Sequence, residues 1–181
     1  MSGMHYQDSK SALDTPKKIL KVNHAGEFGA INIYKAQILV GSLFNREYVP
    51  TLQGLMEDEK RHLEIFWDEI QRRDGVKCKS YWLCGLGGWA MGLFSALLGK
   101  HGVMACTWAV ESVVTEHLMG QLRYLESKED QQAYDAVRKI LEDEQNHRDL
   151  GEKEGGTKTL YAPLRFCISA FTEATIRFGM R

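Results

Sequence analysis

Apolar residues recur at three- and four-residue spacing through most of the chain, and runs of alternating β-branched residues are few. That pattern predicts helices throughout. A first helix opens at Asp14-Thr15-Pro16, where a capping side chain precedes a proline in the first turn, and runs to about Phe44 with Leu20, Ile31, Tyr34 and Ile38 facing inward. A second spans about Val49 to Arg73 on the stripe Leu52, Leu55, Met56, Glu59, His62 and Phe66. A third covers about Gly102 to Leu125, with Met104, Trp108, Glu111, Leu118, Leu122 and Leu125 in register. A fourth covers about Glu129 to Lys153 on Tyr134, Val137, Leu141, Glu144 and His147, after which Gly151 and Gly155-Gly156 are chain-ending signals. A last apolar helix, Leu160 to Phe178, carries Phe166, Ile168, Phe171, Ile176 and Phe178 and is suited to cover an open side of a bundle.

Charged residues on these apolar stripes need a reason. Glu59-Lys60-Arg61-His62 and Glu144-Gln145-Asn146-His147 are both Glu-x-x-His, each preceded by Glu-Asp, and the copies lie 85 residues apart. A helix turns about 100° per residue, so a three-residue step brings carboxylate and imidazole within about 60° of one another. The repeat extends upstream: Glu27 precedes Glu59 by 32 residues and Glu111 precedes Glu144 by 33, with Gln37 and Gln121 each ten residues after its Glu. A single Glu-x-x-His is most often a solvated or salt-bridged pair. Two copies on apolar stripes are different, because an unpaired buried charge costs several kcal/mol and a metal ion removes that cost.

One Glu from each of two helices and Glu-x-x-His from each of two others form the ligand set of a ferritin-like di-metal bundle. The pattern therefore predicts an all-α, ferritin-like four-helix bundle built from two helix-pair repeats. Its metal ligands are Glu27, Glu59, His62, Glu111, Glu144 and His147. An oxygen-rich shell with one imidazole per metal suits iron or manganese rather than structural zinc, and points toward oxygen chemistry. Glu57, Asp58, Glu142 and Asp143 fall off the stripes and are expected to face solvent or another helix. His24, one turn before Glu27, reads either as a residue supporting the ligands or as a helix-start histidine bonded to backbone. Tyr34, two turns after Glu27, reads as a core tyrosine or as part of a substrate channel. His117 lies about 120° around its helix from Glu111 and is not expected to be a direct ligand.

Between the two halves, Ser80 to Gly99 is twenty residues without one charge. At about 1.5 Å per residue it would just span a hydrocarbon core of about 30 Å. Its five glycines weaken a lone helix, and Tyr81, Trp82 and Trp89 resemble interfacial anchors. The expectation is an apolar helix lying in a membrane surface and lining a path for a greasy substrate. A helix buried in a dimer interface is the other reading.

At 181 residues, 44% hydrophobic and with a formal net charge of −1, the chain is expected to form a single domain over 14–181, with no electrostatic case for nucleic acid. Residues 1–13 read as a disordered polar lead without the pattern of a secretory signal or transit peptide. Cys78, Cys84, Cys106 and Cys167 have irregular spacing and indicate neither a zinc knuckle nor a disulfide framework.

Several separate motifs resemble one family. Asn23-His24-Ala25-Gly26-Glu27-Phe28-Gly29-Ala30, Asp58-Glu59-Lys60-x-His62, Leu97-Leu98-Gly99-Lys100-x-Gly102-x-Met104-Ala105-Cys106-Thr107, Ala109-Val110-Glu111 and Asp143-Glu144-x-x-His147-x-Asp149-x-Gly151 resemble the demethoxyubiquinone hydroxylases of ubiquinone biosynthesis, over about 14 to 181. The resemblance implies a carboxylate-bridged di-iron centre held by the six residues above, with Glu59 and Glu144 as bridges, and O2-dependent ring hydroxylation. It also implies NADH or another external reductant. Gly85-Leu86-Gly87-Gly88 lacks the strand-turn-helix setting of a dinucleotide fold. Glu116-His117-Leu118 departs from the family, which carries an aromatic residue in place of Leu118.

The implied partners are a membrane quinone and a membrane surface, with a homo-oligomer or ubiquinone-biosynthesis proteins as further candidates. The expected place is the cytoplasmic face of a bacterial inner membrane, or else the matrix face of the mitochondrial inner membrane. An iron-storage protein would use the same six ligands without needing the apolar segment. A non-catalytic quinone-binding protein would need the segment without the ligands.

Overall fold

The computed structural model describes residues 14–181, so the polar lead 1–13 and the capping role expected of the Asp14 side chain lie outside the described residues. Among those residues there are helices and no strand: α1 (Asp14–Phe44), α2 (Val49–Arg72), α3 (Tyr81–Leu97), α4 (Gly99–Ser127), α5 (Gln131–Gly151) and α6 (Ala162–Met180). Helix α1 packs against α2 on one side and α3 on another, while α4 packs against α5 and α6. Two apolar clusters join the same four helices. One contains Leu20, Phe66, Ile70, Leu118, Leu125, Val137 and Ile140. The other contains Tyr34, Leu52, Leu55, Val103 and Met104, with Leu150 against it. Glu27, Glu59, Glu111 and Glu144 fall between these clusters along their helices, so the charged layer is closed above and below by hydrocarbon.

Helix α3 is seated by its glycines. A Cβ at Gly88 would collide with the Gly29 carbonyl of α1, and one at Gly92 with the Ile33 carbonyl. The two backbones are in near contact, which only glycine permits here. With its narrow side inward, α3 turns its bulk outward: Trp82 is 74% exposed, Leu86 74% and Phe94 59%. Gly92→Ala is expected to reduce the free energy of unfolding by about 1–3 kcal/mol through this overpacking, measured by chemical denaturation. An unchanged midpoint would mean that α3 is not seated in this way.

Helix α6 runs antiparallel beside α3. Cys78, just before α3, approaches the Gly179 carbonyl at 3.9 Å, Gly87 faces the Phe171 ring, and Tyr161 Oη donates to the Leu98 carbonyl at 3.5 Å. The expected covering helix is present and lies on α4, with Ile168 buried. Phe166 and Phe178 correct a simple inward reading, because they are 75% and 45% exposed. No helix among the described residues is long and apolar enough to cross a membrane.

Two boundaries differ from expectation. Helix α4 begins a turn early, at Gly99, whose φ of 75° makes the break from α3. Gly151 does not end the chain path of α5: a short π-helical stretch, Glu152–Gly156, follows, and the turn falls at Gly155 with φ 90°. Gly151 is there for packing, since a Cβ would meet the Trp108 amide and the Met104 carbonyl of α4.

Candidate metal centre

The helical register delivers each ligand candidate to one buried layer. All six are buried: Glu27 5%, Glu59 1%, His62 1%, Glu111 3%, Glu144 1% and His147 4% exposed. They form two donor groups, Glu27-Glu59-His62-Glu144 and Glu59-Glu111-Glu144-His147, each with one donor atom per residue and all those atoms within 4.8 Å of one another. Glu59 and Glu144 belong to both groups. His62 Nδ1 lies 3.0 Å from Glu144 Oε1 and 3.7 Å from Glu59 Oε2, and His147 Nδ1 lies 3.2 Å from Glu59 Oε1 and 3.7 Å from Glu144 Oε2. These atoms are close without being aligned for hydrogen bonding. Both histidine Nδ1 atoms, Glu59 Oε1 and both Glu144 oxygens are buried with no hydrogen-bond partner. Donors that converge on a common point while leaving one another unbonded fit a cation between them.

The charges give the same reading. Burial, and then the neighbouring carboxylates Glu144 and Glu59, hold Glu27 and Glu111 well above the ordinary carboxylate range. Burial opposes charge on His62 and His147, yet Glu144 and Glu59 outweigh it and push the two rings up to about 10 and about 12. Burial also opposes charge on Glu144, and the adjacent His147 and His62 rings bring it down to about 2. The cluster thus demands positive charge. Four carboxylates would be neutralised by two divalent cations with both imidazoles neutral, and the carboxylate-rich set suits iron or manganese.

The outer nitrogens of the rings are held across the repeat. Asp143 of α5 accepts from His62 Nε2 of α2 at 3.1 Å, and Asp58 of α2 accepts from His147 Nε2 of α5 at 3.2 Å. A carboxylate that fixes the Nε2 proton leaves Nδ1 as the donor atom for a metal. Arg61 ties the two aspartates together, at 2.8 Å from Asp58 and 3.2 Å from Asp143. Of the two places expected for them, solvent or another helix, both aspartates take the second. The available signal was their repeated place before each ligand Glu, about 100° off the apolar stripe, which directs them to a neighbouring helix. Glu57, by contrast, is exposed and pairs with Lys60 at 2.6 Å. Asp143→Ala is expected to weaken metal binding about 10–100-fold while leaving the helices intact, as measured by metal titration and circular dichroism. Affinity equal to wild type would remove the aspartate from the site.

The remaining candidates separate. His24 is buried, its ring stacked 5.3 Å from Tyr81 at the start of α3 and tilted 5.2 Å from Trp67 of α2, and burial followed by Lys77 lowers it to about 4. Tyr34 packs in the apolar cluster with Leu52 and Leu55, and burial followed by Glu111, Glu59 and Glu144 holds its hydroxyl well above the ordinary phenol range, so it stands beside the carboxylates. His117 lines the cavity at the carboxylates, beside Leu118, and its Nε2 lies 2.6 Å from Glu173 Oε2 of α6.

That cavity is bounded by Glu27, Glu59, Glu111 and Glu144 on the inside and by Val22, Gly26, Val110, Val114 and Ile176 toward the outside. The same five outer residues line an apolar groove with a cavity volume of about 70 Å³ that runs between α3 and α6 past Cys84, Met91 and Phe171. The ligand cluster therefore opens on a greasy passage whose far rim is the exposed apolar face.

This arrangement defines an all-helical protein with a buried carboxylate–imidazole centre able to hold two cations at the end of an apolar groove. The chain belongs to the family described as ubiquinone biosynthesis protein COQ7, which matches residues 14–179. It is 34% identical to the human NADPH-dependent 3-demethoxyubiquinone 3-hydroxylase, mitochondrial, over 99% of this chain and 83% of that one. It is 32% identical to the protein of the same name from Dictyostelium discoideum, over 91% of this chain and 76% of that one. A 3-demethoxyubiquinol 3-hydroxylase from Rhodospirillum rubrum is 30% identical over 81% and 68%.

Proposed function

We infer that this chain is an O2-dependent di-iron mono-oxygenase that hydroxylates the ring of demethoxyubiquinone, on a ferritin-like four-helix scaffold of α1, α2, α4 and α5. The observation that carries the reading is the opening of two donor groups, sharing Glu59 and Glu144, onto an apolar groove. Glu27, Glu59 and His62 would hold one iron and Glu111, Glu144 and His147 the other, with Glu59 and Glu144 bridging. Two bound irons would supply the activation of O2 that ring hydroxylation needs.

The chain itself supplies position and dryness. Val110, Val114 and Ile176 would exclude water from the inner mouth, and the apolar lining of the groove would guide a flat ring ahead of an apolar tail. His117, anchored by Glu173, adds an imidazole beside that wall. Asp58 and Asp143 keep the histidines in the ligating tautomer. Electrons come from a reduced nicotinamide outside the fold, NADPH as the eukaryotic relatives' names have it or NADH. Gly85-Leu86-Gly87-Gly88 lies within α3, and Gly88 is spent on contact with α1.

The exposed apolar residues of α3 and α6 support peripheral attachment to a membrane, where the quinone resides, on the cytoplasmic face of a bacterial inner membrane or the matrix face of a mitochondrial one. A homo-oligomer or other ubiquinone-biosynthesis proteins are the alternative covers for that face. The deciding experiment gives iron-loaded protein O2, NADPH and demethoxyubiquinone and reads the products by mass spectrometry. A ring heavier by one oxygen atom is the expected result. Iron oxidation without ring product would replace this reading with iron storage.

A further inference from the structure

The apolar face formed by α3 and α6 is bordered by cations at both ends. Helix α3 has 17 residues and no charge, hence about 26 Å of uncharged helix. At its start, Lys77 lies 4.1 Å from the centre of the Tyr81 ring and Lys79 lies 5.0 Å from that of Phe178 on α6. At the opposite end, Lys158 is exposed and meets His101 Nε2 at 2.6 Å, and Arg165 donates to the Gly156 and Lys158 carbonyls. These lysines rest on rings and an imidazole rather than on carboxylates. Acid on the two helices is limited to Glu173 of α6, which is taken up by His117 and Arg177, and at the Lys158 end Glu154 and Glu47 are taken up by Lys100.

We propose that this face docks flat on a bilayer containing anionic phospholipids, with Trp82, Leu86 and Phe94 entering the acyl boundary and Lys77, Lys79 and Lys158 engaging headgroup phosphates at the two ends. The proposal rests on the reading above that the substrate is a membrane quinone, and it adds the lipid class and the orientation. Charge complementarity selects this occupant. A second copy of the chain would bring the same cations against one another, whereas anionic headgroups neutralise them and the apolar strip between enters hydrocarbon. In this pose the groove between α3 and α6 opens toward the lipid, so a quinone reaches Gly26 without crossing water.

The test is flotation of the full chain with phosphatidylcholine vesicles and with vesicles in which about a third of the lipid is phosphatidylglycerol. Three lysines at the surface are expected to give about 100-fold tighter binding to the anionic vesicles. Raising the salt from 50 mM to 500 mM, on the order of a threefold shorter screening length, should remove most of that preference. The triple variant Lys77→Gln, Lys79→Gln, Lys158→Gln should bind both vesicles alike, while its hydroxylation of a short-tailed, water-soluble quinone stays as in the parent. Equal binding of the parent to both vesicles, or an unchanged preference in the triple variant, overturns the proposal. Failure to bind either vesicle by a protein that sediments as a dimer overturns it in favour of a self-interface. None of these results touches the hydroxylase reading, which falls only if the ring product is missing; selective binding to anionic vesicles would then still stand.

Discussion

Replacing Glu144 with alanine is expected to empty the site of iron, taking the purified protein from two ions per chain to near none and ring hydroxylation below detection. The size of the effect follows from position. Glu144 is the carboxylate nearest His62, at 3.0 Å, and it belongs to both donor groups, so its loss removes a donor from each ion at once. With the cations gone, Glu27, Glu59 and Glu111 share a buried layer without them, which costs several kcal/mol for each charge left unpaired. Glu59→Ala should behave alike, since Glu59 is the other shared donor and lies 3.2 Å from His147. Metal analysis of the purified variants is the check, and wild-type iron content in both would remove the bridging assignment.

The second large effect is expected at a residue with no chemistry of its own. Gly26 lines both the ligand cavity and the apolar groove, is exposed, and has nothing within 4 Å of where a Cβ would stand. Gly26→Phe can therefore be accommodated by the fold while placing a ring in the passage. A loss of 10² or more in kcat/KM for the quinone is expected, on the order of what a misplacement of about 1 Å costs a reaction, with iron content and thermal midpoint close to wild type. The contrast with Glu144→Ala separates entry of the substrate from assembly of the centre. Activity retained in Gly26→Phe would mean that the ring reaches the irons by another route.

What could be read from the residues followed the helical period. Glu59 and His62 stand on the same stripe as Leu52, Leu55 and Phe66, and all are buried, so a repeat of three and four was enough to gather them. Asp58 and Asp143 were harder because their roles depend on how closely α2 and α5 approach, which no spacing along one helix encodes. In the uncharged segment, composition announced an apolar helix but not which side would turn out. That orientation came from the clash a Cβ at Gly88 or Gly92 would make with α1. Gly151 misled for a related reason: a glycine near a helix end usually closes it, and here it admits the backbone of α4 instead. The groove was illegible altogether, since it exists only where α1, α3, α4 and α6 meet.

The crossed pairing of Asp58 with His147 and of Asp143 with His62 has a consequence for how the molecule is put together. Each helical hairpin supplies the clasp for a ring belonging to the other, so neither hairpin on its own contains a finished half of the centre. Exchanging the halves maps Asp58, Glu59 and His62 onto Asp143, Glu144 and His147, which is the bookkeeping of a two-fold axis. Two identical hairpins joined face to face would close the same set of contacts, whereas a single hairpin would leave both rings without their carboxylate partners.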